Sequence, residues 1–332
     1  MDLPVRIAGD ASEPVLAVDG IVRPAVLELS HWPGNRTPAA LRHDLSTGCA
    51  LGFARLARSE REALAAGASA LANNHYDTDG CLALFATRFP ERALPHAEAM
   101  LRAAAAGDFF RVPDQHALAI DAIVSGLADA ARSPLRDELR GLADEARWER
   151  CAGFLLEHFP ALLAGDLAPF RELWEPTVEA VRRDLSRLAD CERADDERAD
   201  FTVWTARGAL DRPPGRHALH GSTRADRVLF LASGKEGTRA RFLLSTLSWF
   251  DLATETRRPR PDLAALAAHL NAREGSRPED RDAWRAWNPS GAAPELGFGR
   301  AELEPFAEWN GSLAPSRLAP EVVRDTIQDA LP

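Results

Sequence analysis

The residues of this sequence best suited to chemistry are one histidine and two aspartates at alternate positions. His75, Asp77 and Asp79 lie in residues 73–80, which read N-N-H-Y-D-T-D-G and are flanked by apolar runs. An extended backbone points the side chains of alternate residues to the same side. One imidazole and two carboxylates directed at one point can bind a divalent cation or perform acid–base chemistry.

The pattern around this motif predicts a strand that passes into a helix. Residues 68–75 read as the strand, the helix begins at or just after Asp79, and Gly80 lets the backbone turn tightly because it has no Cβ. A simpler interpretation stays open. Asp79 could be only the helix N-cap, Asp77 could form an Asx turn, and His75 could be a satisfied polar residue.

The residue types favour a metal site. Two carboxylates that face each other at strand spacing repel unless a cation or a proton lies between them. Imidazole combined with carboxylate oxygens suits Mn²⁺, Fe²⁺ or Zn²⁺ better than Ca²⁺. We therefore predict His75, Asp77 and Asp79 as metal ligands, with Asp108 as a further one. Cys81 at the helix start could be a nucleophile paired with His75, because a thiol there can be activated, but a buried small apolar residue is the favoured interpretation.

Two further residues are expected near the same edge of the sheet. Residues 14–18 and 25–29 read as strands, and the second of these ends just before His31. Sites in open α/β sheets gather at the carboxyl ends of strands. His31 and Asp44 are therefore candidate catalytic residues, with His31 as a general acid or an oxyanion donor. Asp44 could instead cap the next helix, and Asp108 could simply end one.

The hydrophobic pattern predicts an α/β fold with a large helical share. Residues 116–190 carry apolar residues at helical spacing, and residues 190–200 are so charged that they predict an exposed connection. Strands return after this connection, followed by a helix at 262–273 and an irregular arm from residue 275. We predict an N-terminal α/β domain with a helical extension over residues 1–190, and a smaller C-terminal α/β domain over residues 200–332.

Residues 75–80 resemble the first motif of the DHH phosphoesterases, the superfamily of RecJ-type exonucleases and inorganic pyrophosphatases. Residues 29–35 (L-S-H-W-P-G-N) and 44–48 (D-L-S-T-G) are similar to the region of the Asp-His-His signature and the helix after it. Only the central histidine of that signature is kept, as His31, and the order of the motifs is reversed, which either a circular permutation or convergent use of a short motif would explain. The chain also resembles an uncharacterised bacterial family with S-H-W-P-G-N, N-H-x-D-x-D-G and G-D-F segments, which gives a fold class and no activity.

The resemblance to DHH enzymes implies a two-metal site, with Mn²⁺ favoured and zinc or iron as alternatives, that hydrolyses phosphoesters with metal-activated water. It also implies that residues 234–241 (G-K-E-G-T-R-A-R) of the C-terminal domain bind the substrate. Lys235, Arg239 and Arg241 would then hold phosphate oxygens. The alternative for these three is an exposed strand edge.

We therefore expect a metal-dependent hydrolase that acts on a phosphoester or a similar small anionic substrate. One alternative is a catalytically degenerate DHH-like protein that binds a ligand or a partner. Another is an amide hydrolase with a single metal ion.

Composition narrows the partners and the compartment. The 332-residue chain has a formal net charge of −10, which disfavours long nucleic acid as a partner. Its four cysteines contain no C-x-x-C pair, which argues against a zinc ribbon or a disulfide framework. No apolar run approaches the ~20 residues of a membrane span and no signal peptide is visible, so we expect a cytoplasmic protein away from membranes. The oligomeric state stays open.

Overall fold

A computed structural model of the chain describes residues 3–208, 213–300 and 313–332. Two units divide the chain. The first comprises Met1–Glu179 together with Phe250–Glu255, and the second comprises Ala180–Trp249 and Thr256–Pro332. Each unit combines helices with a β-sheet, as the predicted α/β class requires. The division falls between Glu179 and Ala180, whereas the sequence placed a connection at residues 190–200.

The first unit holds four short strands and most of the helices. Its strands are β1 (Val5–Ile7), β2 (Val15–Val18), β3 (Ala25–Leu29) and β4 (Leu71–Asn73). Its helices are α1 (Ser46–Ala54), α2 (Arg58–Leu64), α3 (Thr78–Arg88), α4 (Pro90–Ala93), α5 (Ala97–Asp108), α6 (Gln115–Ala128), α7 (Arg136–Leu139), α8 (Asp144–Leu163) and the first half of α9 (Arg171–Ala189). Short 3₁₀ turns lie at Ala39–Leu41, Leu94–His96 and Ala168–Phe170.

The sheet of the first unit is parallel throughout, in the order β1-β4-β2-β3. All four residues of β2 are buried and apolar, as expected for an inner strand of a parallel sheet that is covered on both faces. Because the strands are parallel, the carboxyl ends of β4, β2 and β3 lie side by side along one edge. Polar residues follow each of these ends.

Helix α3 lies in the core of the first unit. Every residue from Thr78 to Thr87 is buried, including the polar residues of its first turn. Its sequence is mostly small and apolar, so it can pack closely against α1, α5 and β4 at the same time. The first turn of α3 is therefore held rigidly beside the edge of the sheet.

The second unit is built on a six-stranded mixed sheet in the order β5-β6-β7-β8-β10-β9. Apolar residues cover both of its faces, one beneath α11 and α12 and the other against α10 and Leu188 of α9. Its strands are β5 (Glu192–Asp196), β6 (Phe201–Ala206), β7 (Arg227–Gly234), β8 (Gly237–Leu244), β9 (Asp282–Trp287) and β10 (Glu295–Arg300). Its helices are α10 (Arg216–Gly221), α11 (Leu263–Glu274) and α12 (Pro320–Asp329), with a 3₁₀ turn at Thr246–Ser248.

Two predictions about the chain after residue 190 were wrong. The charged residues Glu192–Asp196 form an edge strand, and charge on an exposed edge opposes pairing with other chains. The irregular arm expected from residue 275 contains β9, β10 and α12, although residues 301–312 of that arm lie outside the described part of the chain. Alternation of Trp284 and Ala286 with polar residues was the signal for β9. In the described ranges, no helix combines the length and apolarity needed to cross a bilayer.

Candidate metal centre

Three adjacent strands of the parallel sheet deliver polar residues to one edge. Asp19 follows β2 directly, His31 lies two residues beyond β3, and Asn73 and His75 lie at and beyond the end of β4. Asp19 has a φ of 59°, in the left-handed region that residues with a Cβ adopt rarely. Such backbone conformations concentrate at functional sites, where the surrounding structure holds them in place.

The start of helix α3 brings two more carboxylates to the same edge. Asp77 is the N-cap, and one of its oxygens accepts a hydrogen bond from the Gly80 backbone N–H at 2.8 Å. Asp79 lies in the first helical turn, so its side chain converges on the site through the helix and not through strand alternation as the sequence predicted. Gly80 is needed for close approach, because a Cβ there would come within 2.2 Å of the Asn73 amide and 2.9 Å of Asp19.

Asp79 also ties the site to a second helix. Its two oxygens accept the backbone N–H groups of Ser46 and Thr47 at 2.7 Å each, and Thr47 Oγ1 donates to its carbonyl at 3.0 Å. These N–H groups lie in the first turn of α1, where they have no partner within the helix. The N-cap of α1 is Leu45, whose side chain cannot accept a hydrogen bond, so Asp79 takes this role. The positive end of the helix dipole favours an ionised Asp79.

The first group of possible metal ligands is buried and contains His31 with three carboxylates. Its ligand atoms, from Asp19, His31, Asp79 and Asp108, all lie within 4.8 Å of one another. His31 Nε2 is 3.1 Å from Asp108, 3.6 Å from Asp19 and 3.7 Å from Asp79. Asp108 is the last residue of α5, where the negative end of the helix dipole disfavours a carboxylate unless a cation is near.

The hydrogen bonding of His31 fits a metal ion. His31 Nδ1 is 2.6 Å from the backbone carbonyl of Asp44, which can only accept, so Nδ1 carries a proton. Nε2 is buried, has no hydrogen-bond partner, and faces the three carboxylates. With a divalent cation between them, the same four side chains form a ligand set of imidazole and carboxylate oxygens.

The second group contains Asp19, His75 and Asp77 and is partly exposed. His75 Nε2 is 2.8 Å from Asp77 Oδ2 and 3.1 Å from Asp19 Oδ2, while its Nδ1 is 2.7 Å from the side-chain oxygen of Asn74. Asp19 therefore belongs to both groups. Its Oδ1 is the oxygen nearer His31 and its Oδ2 is the one nearer His75. This is the arrangement of a carboxylate that can bridge two cations.

Burial and mutual repulsion displace the pKa values of the carboxylates in this cluster. Burial, with the neighbouring carboxylate of Asp19, raises the pKa of Asp79 to about 6. Burial, followed by the charges of Asp79 and Asp77, holds the pKa of Asp108 well above its ordinary value. Both carboxylates are therefore harder to ionise than an ordinary aspartate, and a cation between them would offset this cost.

The pKa values of Asp19 and His75 are shifted by the attraction between opposite charges. Burial opposes the ionisation of Asp19, but His75, His31 and a hydrogen bond from Ser46 outweigh it and lower the pKa of Asp19. Burial likewise opposes the charging of His75, but Asp77 and Asp19 together raise the pKa of His75 well above its ordinary value. His75 then acts as a substitute cation in the second group.

Five of the six predicted metal or catalytic residues meet at this edge, namely His31, His75, Asp77, Asp79 and Asp108. Asp44 does not join them through its side chain. Its carboxylate accepts the backbone N–H groups of Ala253 and Thr254, and only its carbonyl contacts His31. Neither does it cap α1, which begins at Ser46 without a side-chain cap.

The three predicted substrate-binding residues lie in the second unit in different surroundings. Lys235 is exposed in the two-residue turn between β7 and β8, and Arg239 pairs with Glu236 at 3.2 Å. Arg241 is buried and donates to Glu295 at 2.8 Å. Since the guanidinium of Arg241 already binds the carboxylate of Glu295, Lys235 and Arg239 are the better candidates to meet an anion, and their role stays a prediction.

Sequence reasoning missed Asp19 and left Cys81 as an alternative nucleophile. Asp19 was interpreted as part of an Asp-Gly turn, although it directly follows the wholly apolar strand Val15–Val18. An aspartate at the end of such a buried strand was the available signal. Cys81 is buried, and burial together with the charge of Asp77 raises the pKa of its thiol well above the ordinary value, which opposes thiolate chemistry.

Comparison with known proteins gives a family without an activity. The model described as "Family of unknown function (DUF6687)" matches residues 4–332, so the chain belongs to that family. No curated protein and no solved structure matched the chain.

Proposed function

We propose that this chain is a two-metal hydrolase that acts on a phosphoester or a similar small anionic substrate, with Mn²⁺ favoured over zinc or iron. One observation carries the proposal: Asp19 belongs to two ligand groups at once and presents a different oxygen to the histidine of each. A carboxylate shared in this way is the usual device for holding two divalent cations close together.

The ligand chemistry supports divalent cations of intermediate softness. The two groups offer two imidazoles and four carboxylates, which suit Mn²⁺, Fe²⁺ and Zn²⁺. A pair of such cations activates a water molecule and stabilises the attacking and leaving oxygens of a phosphoester. In this proposal His31 is a ligand and not a general acid, because its Nδ1 is committed to Asp44 and its Nε2 faces three carboxylates.

The charge of the cluster favours two cations over one. Asp19, Asp77, Asp79 and Asp108 carry four negative charges when ionised, and two divalent cations carry four positive charges. With one cation the site would keep a net negative charge and repel an anionic substrate. With two cations the net charge of the site is zero, and the repulsion of an anionic phosphoester is removed.

The resemblance to DHH phosphoesterases adds support. All three residues of the H-x-D-x-D-G motif, together with His31, are among the possible ligands. Asp19 supplies a carboxylate at the end of a strand, which the sequence comparison lacked. We infer that the site uses the same class of chemistry from a different order of motifs.

The experiment that tests the proposal is metal analysis of the purified protein beside Asp19→Asn. We expect two metal ions per wild-type chain after incubation with Mn²⁺, with hydrolysis of a simple phosphodiester such as bis(p-nitrophenyl) phosphate. Asp19→Asn should lose both metals, because both groups need its oxygens. Glu274→Gln is the matched control, since Glu274 is a buried carboxylate of the second unit that binds Ser316 and Arg317 instead.

The metal count also separates the alternatives. A single metal in the wild type that survives Asp19→Asn would exclude the shared-carboxylate site and favour an amide hydrolase with one metal ion. No metal uptake with Mn²⁺, Zn²⁺ or Fe²⁺ would refute the proposal and favour a protein that binds a ligand or partner without catalysis.

A further inference from the structure

We propose that the segment Phe250–Glu255, which we call the strap, is a built-in part of the metal centre, and that Phe250 and Thr254 are positioning residues for His31. The inference rests on the proposed function, because it treats His31 as a metal ligand. The strap is remote from the site in sequence, and the residues on both sides of it belong to the second unit, yet it packs with the first.

Phe250 fixes the plane of the His31 ring. The two rings stack with centroids 3.7 Å apart and planes inclined by 19°, and Phe109 packs edge-on against Phe250 at 6.0 Å. His31 is 1% exposed, so its imidazole has little room to rotate. The strap also reaches the His31 backbone, since the Asp251 N–H donates to the His31 carbonyl at 2.8 Å.

Asp44 connects the strap to the other nitrogen of the same imidazole. The Asp44 carboxylate accepts the N–H groups of Ala253 at 2.7 Å and Thr254 at 2.9 Å, together with the Thr254 hydroxyl at 2.5 Å. The Asp44 carbonyl accepts His31 Nδ1 at 2.6 Å. Three donors from the strap therefore hold the residue whose carbonyl sets the His31 tautomer.

This arrangement gives Asp44 a role in metal binding although its carboxylate is not a ligand. A metal-binding histidine needs its second nitrogen bound to an acceptor, and loss of such a partner lowers metal affinity by about 10–100-fold. Here the acceptor is a backbone carbonyl in a loop, which by itself has no fixed position. The strap supplies that fixed position through Asp44, and Phe250 supplies the ring orientation.

The test is Co²⁺ titration of metal-free protein, followed by visible absorption, whose d–d bands report the coordination of the bound ion without any substrate. Phe250→Leu keeps an apolar side chain and removes the stacked ring, so we expect Co²⁺ binding to the His31 group to weaken by about 10–100-fold. Binding to the Asp19–His75–Asp77 group should be unchanged. Thr254→Val should shift the same His31-linked band more weakly, and Phe250→Tyr should restore wild-type behaviour because it keeps the ring.

Phe159→Leu is the control for lost core packing, because Phe159 is a fully buried phenylalanine that packs on Phe85 in the first unit. It should lower thermal stability and leave the Co²⁺ spectrum as in the wild type. If the wild type binds two Co²⁺ ions and Phe250→Leu and Thr254→Val bind them with unchanged affinity and spectrum, the strap has no positioning role. If the wild type binds no Co²⁺ or Mn²⁺, the proposed function itself fails, and this inference with it.

Discussion

Buried charges occur in both units, but they are compensated in different ways. In the second unit, Glu295 accepts hydrogen bonds from Arg216 at 3.2 Å and Arg241 at 2.8 Å, and Arg216 also donates to the carbonyl of Ala293. In the first unit, the ion pairs of Asp19, Asp77 and Asp79 within the described residues are with His31 and His75 alone.

The difference indicates which cluster is structural and which needs a ligand. Burial lowers the pKa of Arg216 to about 10, against the opposing effect of Glu295, so it stays charged at neutral pH and the second cluster is complete in itself. In the first unit, burial and the charge of Asp19 raise the pKa of Asp79, and the raised pKa of His75 keeps a positive charge beside Asp77 and Asp19. A carboxylate cluster whose positive charges are on histidines depends on pH, and one balanced by guanidinium groups does not.

The largest expected effect comes from the second unit. Glu295→Gln leaves the guanidinium groups of Arg216 and Arg241, which are 13% and 8% exposed, without their shared carboxylate, and this should destabilise that unit by about 3–5 kcal/mol. Urea unfolding should show the same loss with Mn²⁺ and with EDTA. Glu236→Gln, which removes an exposed partner of Arg239, should change stability by less than about 1 kcal/mol. A similarly small loss for Glu295→Gln would mean that backbone carbonyls alone compensate the two arginines.

The metal-free first unit should lose stability as pH rises, which is the next largest effect. The pKa of Asp79 rises from 3.8 to about 6 on folding, so its protonated form stabilises the fold fully below about pH 4. That contribution, roughly 3 kcal/mol by the energy per pKa unit, is lost as pH passes through 6. The raised pKa values of Asp108 and His75 act in the same direction, whereas the lowered pKa of Asp19 acts only below pH 4.

Urea unfolding between pH 4.5 and pH 8 measures this decline in the presence of EDTA. Mn²⁺ should remove it, because metal binding replaces the protons and strengthens as the ligands deprotonate. A stability of the metal-free unit that increases over the same range would contradict the repulsion inferred among its carboxylates.

Much of the fold and part of the site could be predicted from local pattern. Apolar runs with turn signals locate β2 and β3, and the H-x-D-x-D-G motif lies at the junction of β4 and α3 as predicted. The carboxyl ends of parallel strands must meet at one edge, so His31 and His75 could be placed together without a structure. Asp19 was missed because Asp-Gly is equally typical of a turn between two strands.

The remaining site features depend on contacts that leave no local signal. Asp44 lies next to a helix start, where a cap is the ordinary expectation, yet its carboxylate binds Thr254, which is 210 residues away. Phe250 looks like any apolar residue in a loop until its stacking on His31 is seen. The strands β9 and β10 were missed for a different reason, since aromatic residues among prolines and glycines obscure their alternation.

Asp108→Asn should stabilise the metal-free protein, whereas Glu295→Gln destabilises it, and the change in the free energy of unfolding should be smaller. At pH 8 without metal, the neutral amide replaces a buried carboxylate that its neighbours repel, so the first unit should gain stability. With Mn²⁺ the order reverses, because the variant loses a ligand of the His31 group. Thermal unfolding with EDTA and with Mn²⁺ measures both values. A variant less stable than wild type under both conditions would show that Asp108 is structural.

The smallest effects come from two aspartates with the same local role. Asp77 is the N-cap of α3 and Asp262 is the N-cap of α11, where it accepts N–H groups of Ala264 and Ala265. Replacing either by alanine should cost about 1 kcal/mol in metal-free protein. Only Asp77 is also a possible metal ligand.

The two variants should therefore separate once metal is added. With Mn²⁺ at 100 times its dissociation constant, the free energy of unfolding of the wild type rises by about 2.7 kcal/mol for each bound ion. Asp77→Ala should lack the increase that comes from the ion in the Asp19–His75–Asp77 group. Asp262→Ala should keep the full gain, because among the described residues its carboxylate accepts the N–H groups of Ala264 and Ala265 at the start of α11. Equal metal-dependent gains in the two variants would show that Asp77 is an ordinary helix cap and not a metal ligand. The metal site would then consist of Asp19, His31, Asp79 and Asp108.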